Sequence, residues 1–226
     1  MPHTPPAAHS LELPPVHRQA ETLVDLGVAE TAGLSAATLR TFAQHAGPER
    51  QDALVVLHHE LAPASALAPL LRRGDKSGFV VEDMPDVDQF TPYQVEIPDA
   101  AIYLVHGLDR GDQLANWSPE EALPELTANH RTPLLLTEGI HWMLQQPEAL
   151  ERNQCFMTIG SRLRKTNGAY DARTPAVWIS NGTGRDGRDR RNAPKVGWCW
   201  WRNRHTWLGF GSTTGREGAV TSRGVV

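Results

Sequence analysis

The sequence predicts an α+β fold, in which a helical and mixed N-terminal part packs on a C-terminal antiparallel β-sheet. Three observations predict it. Apolar residues recur at three- and four-residue spacing through much of the first half. Beyond residue 150 the pattern changes to strands separated by Gly- and Asn-rich turns. Charge divides at the same place. Residues 1–150 carry 21 acidic and 8 basic side chains, a net of −13, and residues 151–226 carry 5 acidic and 14 basic, a net of +9.

The expected organisation is a disordered Pro-rich tail (1–16), an acidic α/β part (17–150) and a basic antiparallel β part (151–226), the last two forming one compact domain. At 226 residues, 40% hydrophobic and 21% charged, the chain can bury a sizeable core. No apolar run approaches the roughly 18–20 residues of a membrane span. The opening MPHTPPAAHSLELPPV lacks the basic start and apolar stretch of a secretory signal. Two cysteines, Cys155 and Cys199, make neither a disulfide framework nor a thiolate zinc site. A cytoplasmic protein is expected.

Helices come first. In HRQAETLVDLGVAE the spacing of Leu23, Leu26 and Val28 marks one helix, and in GLSAATLRTFAQHAG Leu39, Phe42 and Ala46 mark a second, stopped by Gly47-Pro48. ALVVLHH reads as a buried strand, ASALAPLLRR as a helix, and GFVVED and AAIYLVHGL as further strands. SPEEALPEL begins with a capping box of Ser118 and Glu121, with Pro119 at the first helical position. TEGIHWMLQQ is a helix started by Thr137 and stopped before Pro147. The strands CFMTIGSRL, PAVWIS, KVGWCWW and HTWLGF follow.

Residues 195–212, KVGWCWWRNRHTWLGFGS, hold four of the chain's seven tryptophans. Read as a hairpin turning at Asn203-Arg204, they put Trp200 opposite Trp207 and Cys199 opposite Leu208, with both faces apolar. Two accounts stand: tryptophans filling a core, or a surface for a planar or anionic guest gripped by Arg204, Asn203 and His205. In CFMTIGSRLRK, Arg162 and Arg164 fall on one strand face, where they repel unless an anion or carboxylates lie between them. The acidic part could supply those carboxylates. The loop SNGTGRDGRDRRNAP (180–194) reads either as a mobile lid over an anion or as a solvated connection.

The helix from Thr137 has two stripes. Ile140, Met143 and Leu144 make an apolar one; Glu138, His141, Trp142 and Gln145 make another, at i, i+3, i+4 and i+7. A carboxylate, an imidazole, an indole and an amide on one face suit either an active-site wall or a contact between the two parts. No metal is expected. His58 and His59 point to opposite faces of a strand, Glu138 and His141 make a single Glu-x-x-His, and Glu82, Asp83, Asp86 and Asp88 lack a calcium loop's spacing.

PASALAPLLRR, GFVVEDMPDVDQF, RGDQLANWSPEEALP, TPLLLTEGIHWMLQQPEAL, CFMTIGSR, TPAVWIS and PKVGWCWWRNRHTWLG together resemble an actinobacterial family known only as a domain of unknown function. The likeness spans residues 20–212 and implies no reaction. The chain also resembles, less closely, proteins of aziridine formation in azinomycin-type natural-product pathways. That resemblance implies attack of an amine on a carbon bearing a sulfate-type leaving group.

The expectation is therefore an enzyme of small-molecule metabolism without metal or cofactor, acting on a small anionic substrate, with a partner protein as a further contributor to the site. Glu138, His141 and His205 are the candidate catalytic residues. Arg162, Arg164, Asn203, Arg204, Trp142 and Trp200 are the candidate substrate contacts. Arg162, Arg164, Asn203, Arg204 and His205 are expected to converge on one concavity, with Glu138, His141 and Trp142 on its opposite wall. The alternative is a non-catalytic module that binds nucleic acid or an acidic protein through a basic, Trp-rich sheet. The acidic first part argues against a polyanionic partner.

Overall fold

The structure is a computed structural model that describes residues 12–218. Most of the expected tail lies outside the described residues. Of its last few residues, Leu13 and Val16 are buried, so the fold begins within it.

Among the described residues six α-helices form: α1 (Val16–Asp25), α2 (Val28–Thr31), α3 (Ala36–Ala46), α4 (Ala64–Leu67), α5 (Pro119–Ala128) and α6 (Leu136–Gln145). The first expected helix is split, because Gly27 takes the left-handed φ of 72° that glycine adopts without a Cβ clash. Helix α5 has the expected capping box: Ser118 N–H donates to Glu121 Oε2, and Glu121 N–H to Ser118 Oγ.

The strands before α6 are β1 (Ala53–Leu57), β2 (Arg72–Arg73), β3 (Lys76–Ser77), β4 (Phe79–Val80), β5 (Phe90–Pro92), β6 (Ile102–His106) and β7 (Thr132–Pro133). After it come β8 (Cys155–Met157), β9 (Ser161–Leu163), β10 (Arg173–Ile179), β11 (Pro194–Trp200), β12 (Leu208–Phe210), β13 (Ser212–Thr213) and β14 (Gly215–Gly218). An antiparallel sheet runs β1-β6-β14, and a five-stranded sheet runs β12-β8-β10-β11-β4. The larger sheet is antiparallel at its centre and parallel at both edges, where β4 joins β11 and β12 joins β8. The class is α+β, as the sequence predicts. The two parts interlock: β4 of the acidic part edges the C-terminal sheet, and β14 of the basic part edges the β1-β6 pair.

The expected hairpin at Asn203-Arg204 does not form. Both edges of β11 are occupied, by β10 and β4, so no place is left beside it. Residues 201–207 instead cross to the far side of the sheet, where β12 pairs with β8. Trp200 faces Arg173 across the strands, not Trp207, and Cys199 faces Thr174, not Leu208. Trp200 is 46% exposed, while Trp198 is partly buried and packs against the core.

Helix α6 lies between the two sheets, and all ten of its residues are buried. Toward the smaller sheet, His141 meets Leu57 of β1 and Glu138 meets Tyr103 of β6. Toward the larger sheet, the Trp142 ring lies 5.3 Å from Phe156. A Cβ on Gly139 would stand 2.8 Å from Thr158 and 3.0 Å from Phe156. Both stripes seen in the sequence are thus contact faces.

The charge division resolves the same way. Asp86 pairs with Arg173, Asp83 with Arg185, Glu82 with Arg190, Glu120 with Arg202, Glu121 with Arg204 and Glu138 with Arg216. Each pair joins the acidic part to the basic part. The loop 180–194 is pinned by two of them, and by Asp186, which accepts from Ser180 and Lys195.

Candidate functional site

The expected concavity is not assembled, because one of its walls lies in the core and much of the other at the surface. Glu138 is fully buried. Its Oε1 accepts from Tyr103 Oη and Arg216 Nε at 2.9 and 2.6 Å, and its Oε2 from Leu135 N and Arg216 Nη2 at 2.7 Å each. His141 is equally buried. Its Nδ1 donates to Thr137 O and its Nε2 accepts from Leu57 N, so both ring nitrogens are used. Burial lowers its pKa to about 4, and the ring is neutral. Trp142 donates Nε1–H to Gln146. On the other side, Arg164 and Asn203 are exposed, and Arg204 is taken by Glu121. His205 stacks edge-on against Trp207 at 5.5 Å, with a buried Nε2 that has no hydrogen-bond partner; burial lowers its pKa.

A cleft with polar groups left over opens at the start of α6. It is lined by His59, Pro63, Ala64, Val87, Asp88, Phe90, Pro92, Ser161, the N-cap Leu135 and the helix residues Leu136 and Thr137. The cap expected of Thr137 is not made, since the N-cap position falls two residues earlier, at Leu135. Glu138 takes the Leu135 N–H and Ser161 Oγ takes the Leu136 N–H. Thr137 Oγ1 is therefore buried without a hydrogen-bond partner, and so is His59 Nδ1. Both residues line the same cleft. Burial, and secondarily the neighbouring His58, lower the pKa of His59, which favours a neutral imidazole able to accept a proton. The helix N-terminus adds a positive potential. As it stands the cavity of about 20 Å³ has room for about one water molecule, so a larger guest requires the walls to part.

On the opposite face of the β5-β9 ribbon sits Arg162. Pairing places Arg162 beside Thr91, and Ser161 beside Pro92, so side chains alternate between the cleft and the far face. On that far face the Arg162 guanidinium lies 3.8 Å above the Trp201 ring, 5.3 Å from Tyr93 and 5.4 Å from Tyr170.

Residues 22–219 match the model of a family described as Family of unknown function (DUF5701). The chain belongs to this family. No curated protein and no solved structure matches it.

Two further features of this DUF5701 member bear on its site. A wider basin of about 710 Å³ lies between the β2-β3 hairpin and residues 147–151. Its walls mix Arg72, Arg73 and Lys76 with Asp75, Glu148 and Glu151, so it offers no net preference for either sign. Among the described residues no group of three or more His, Cys, Asp or Glu side chains is placed to hold a metal ion, and no helix is long and apolar enough to cross a membrane.

His59 and Thr137 were missed as site residues, though the sequence contains a trace of each. The pair His58-His59 stands out only as a metal motif, and Thr137 only as a cap. That the two share one cleft depends on where the chain after β1 meets the start of α6, some 80 positions later.

Proposed function

We propose that the protein is an enzyme of small-molecule metabolism acting on an anionic substrate at the start of α6. The observation that carries this is the pair of buried, unpartnered polar atoms, His59 Nδ1 and Thr137 Oγ1, on one cleft. An imidazole that accepts a proton, a hydroxyl that donates and a helix N-terminus that favours negative charge together suit proton removal with departure of an anion.

The reaction class that best uses these groups is the ring closure implied by the resemblance to aziridine-forming proteins. A substrate amine forms a C–N bond to the carbon bearing a sulfate or phosphate ester. The C–O bond breaks with its electron pair going to the departing anion, and the amine proton passes to His59 Nδ1. Thr137 and the first turn of α6 hold the leaving group. The apolar walls formed by Pro63, Val87, Phe90 and Leu136 keep water away from the strained product. The nucleic-acid alternative draws less support, because the arginines it needs are largely paired with the acidic part.

The test incubates the protein with sulfate and phosphate esters of vicinal amino alcohols and measures released anion and cyclised product. Release by the wild type, lost in His59→Gln and reduced in Thr137→Val, is the expected result. Turnover unchanged in His59→Gln would remove His59 from the chemistry, and no release from any ester would remove the reaction class.

A further inference from the structure

Among the described residues the charged side chains of Glu138, Arg216 and Arg162 are all buried, and they are treated differently. Glu138 has Arg216. Arg162, 5% exposed, has no carboxylate within ion-pair distance among the described residues. Its one hydrogen bond there runs from Nη2 to the Asp171 carbonyl at 2.7 Å, and its Nε is buried with no partner. The Asp171 carboxylate is committed to Arg173 and Lys165.

We propose that Arg162 and the rings of Tyr93, Tyr170 and Trp201 form a second ligand site, which takes a small carboxylate or phosphate. The three rings hold the guanidinium in place by stacking, but a ring face does not accept the Nε–H as an oxygen does. Six other arginines of the basic part meet carboxylates of the acidic part; here a charged donor is buried and left open. An oxyanion fits that vacancy because a guanidinium binds one through paired N–H groups.

The wall of the box that can yield is Tyr170. It is 41% exposed and follows the turn of the hairpin in which Arg164 bridges to Tyr170, and its ring packs edge-on to Tyr93 at 4.6 Å. Arg164 on the same hairpin is exposed, and so gives an incoming anion a positive approach. The box lies across the β5-β9 ribbon from the His59 cleft and does not rest on the reading of that cleft.

The experiment titrates benzoate and, separately, inorganic phosphate into nitrogen-15-labelled full-length protein while following the arginine Nε–H resonances. The Arg162 signal is assigned by its loss in Arg162→Lys, which keeps the charge but removes Nε. We expect one or both anions to shift that signal saturably, and the backbone amide signals around Tyr93 and Tyr170, followed in both proteins, to show Arg162→Lys binding at least about tenfold more weakly. Benzoate binding alone indicates a carboxylate ligand that also uses the rings; phosphate binding alone indicates a phosphate ligand. If Arg162→Lys does not fold, Tyr170→Ala, at an exposed position, should change the affinity in its place. His59→Gln should bind as the wild type does, so failure of the proposed reaction leaves this result readable. An Arg162 signal unmoved by both anions, or an affinity indifferent to both Arg162→Lys and Tyr170→Ala, overturns the proposal and leaves Arg162 as a packing element.

Discussion

Arg216 on β14 closes on Glu138 of α6, 78 residues earlier, with Nε 2.6 Å from one carboxylate oxygen and Nη2 2.7 Å from the other. The same guanidinium reaches Thr132 Oγ1 and Pro133 O, so one side chain ties the last described strand to β7 and to the start of α6. The side chains of this pair are 4% and 0% exposed.

Glu138→Gln should therefore act on stability. Removing one member of a buried pair leaves the other charge uncompensated, at a cost of about 3–5 kcal/mol. Urea unfolding should show this, and Glu138→Gln combined with Arg216→Met should be less destabilised than the two single changes predict together. A Glu138→Gln protein of wild-type stability would contradict the structural role.

His141 sets a pH dependence. Its folded pKa of about 4 lies below its ordinary 6.5, so the unfolded chain takes up the proton first as pH falls. Its contribution is complete above about pH 6.5 and is lost progressively toward pH 4, up to about 3 kcal/mol for this gap. His59 and His205 are shifted in the same direction and add to the slope. Chemical denaturation at pH 7.5 and pH 5 should show the loss, and His141→Gln should flatten the profile.

Gly139 sits inside α6, where alanine improves helix propensity by roughly 1 kcal/mol. Packing reverses that gain. The new methyl would stand 2.8 Å from Thr158 Cγ2 and 3.0 Å from Phe156, both held in the core, and overpacking of this kind costs about 1–3 kcal/mol. Gly139→Ala should lower the thermal midpoint; a raised midpoint would show that the sheet yields.

Arg173 and Arg204 should separate two kinds of pairing. Arg173 is mostly covered and bonds both Asp86 and Asp171, which raises its pKa, so Arg173→Ala should cost about 2 kcal/mol. The pair of Arg204 with Glu121 is exposed, and Arg204→Ala should leave the unfolding midpoint unchanged within error. High salt should narrow the difference only slightly, because the Arg173 cluster is shielded.

Local chemistry was legible from the residues alone. The helices around residues 16–46 follow from their spacing, the α5 start follows from Ser118 and Glu121, and the change from helices to strands near residue 150 follows from the change in period. Even the charge division was readable, together with the alternative that its two halves attract one another. These features depend on groups a few residues apart, whose geometry the backbone imposes.

Tertiary structure decided the rest. Nothing between residues 195 and 210 says that β4 already occupies the edge of β11, yet that occupancy turns the expected hairpin into a crossover. The polar stripe of α6 looks the same in sequence whether it borders a cleft or a second sheet. It became core because β6 and β14 bring Tyr103 and Arg216 to Glu138, while β1 brings Leu57 N–H to His141. The open groups at His59, Thr137 and Arg162 are remainders in the same sense. A polar atom is unpartnered only after every distant segment has arrived, and the sequence records the groups but not which of them will meet.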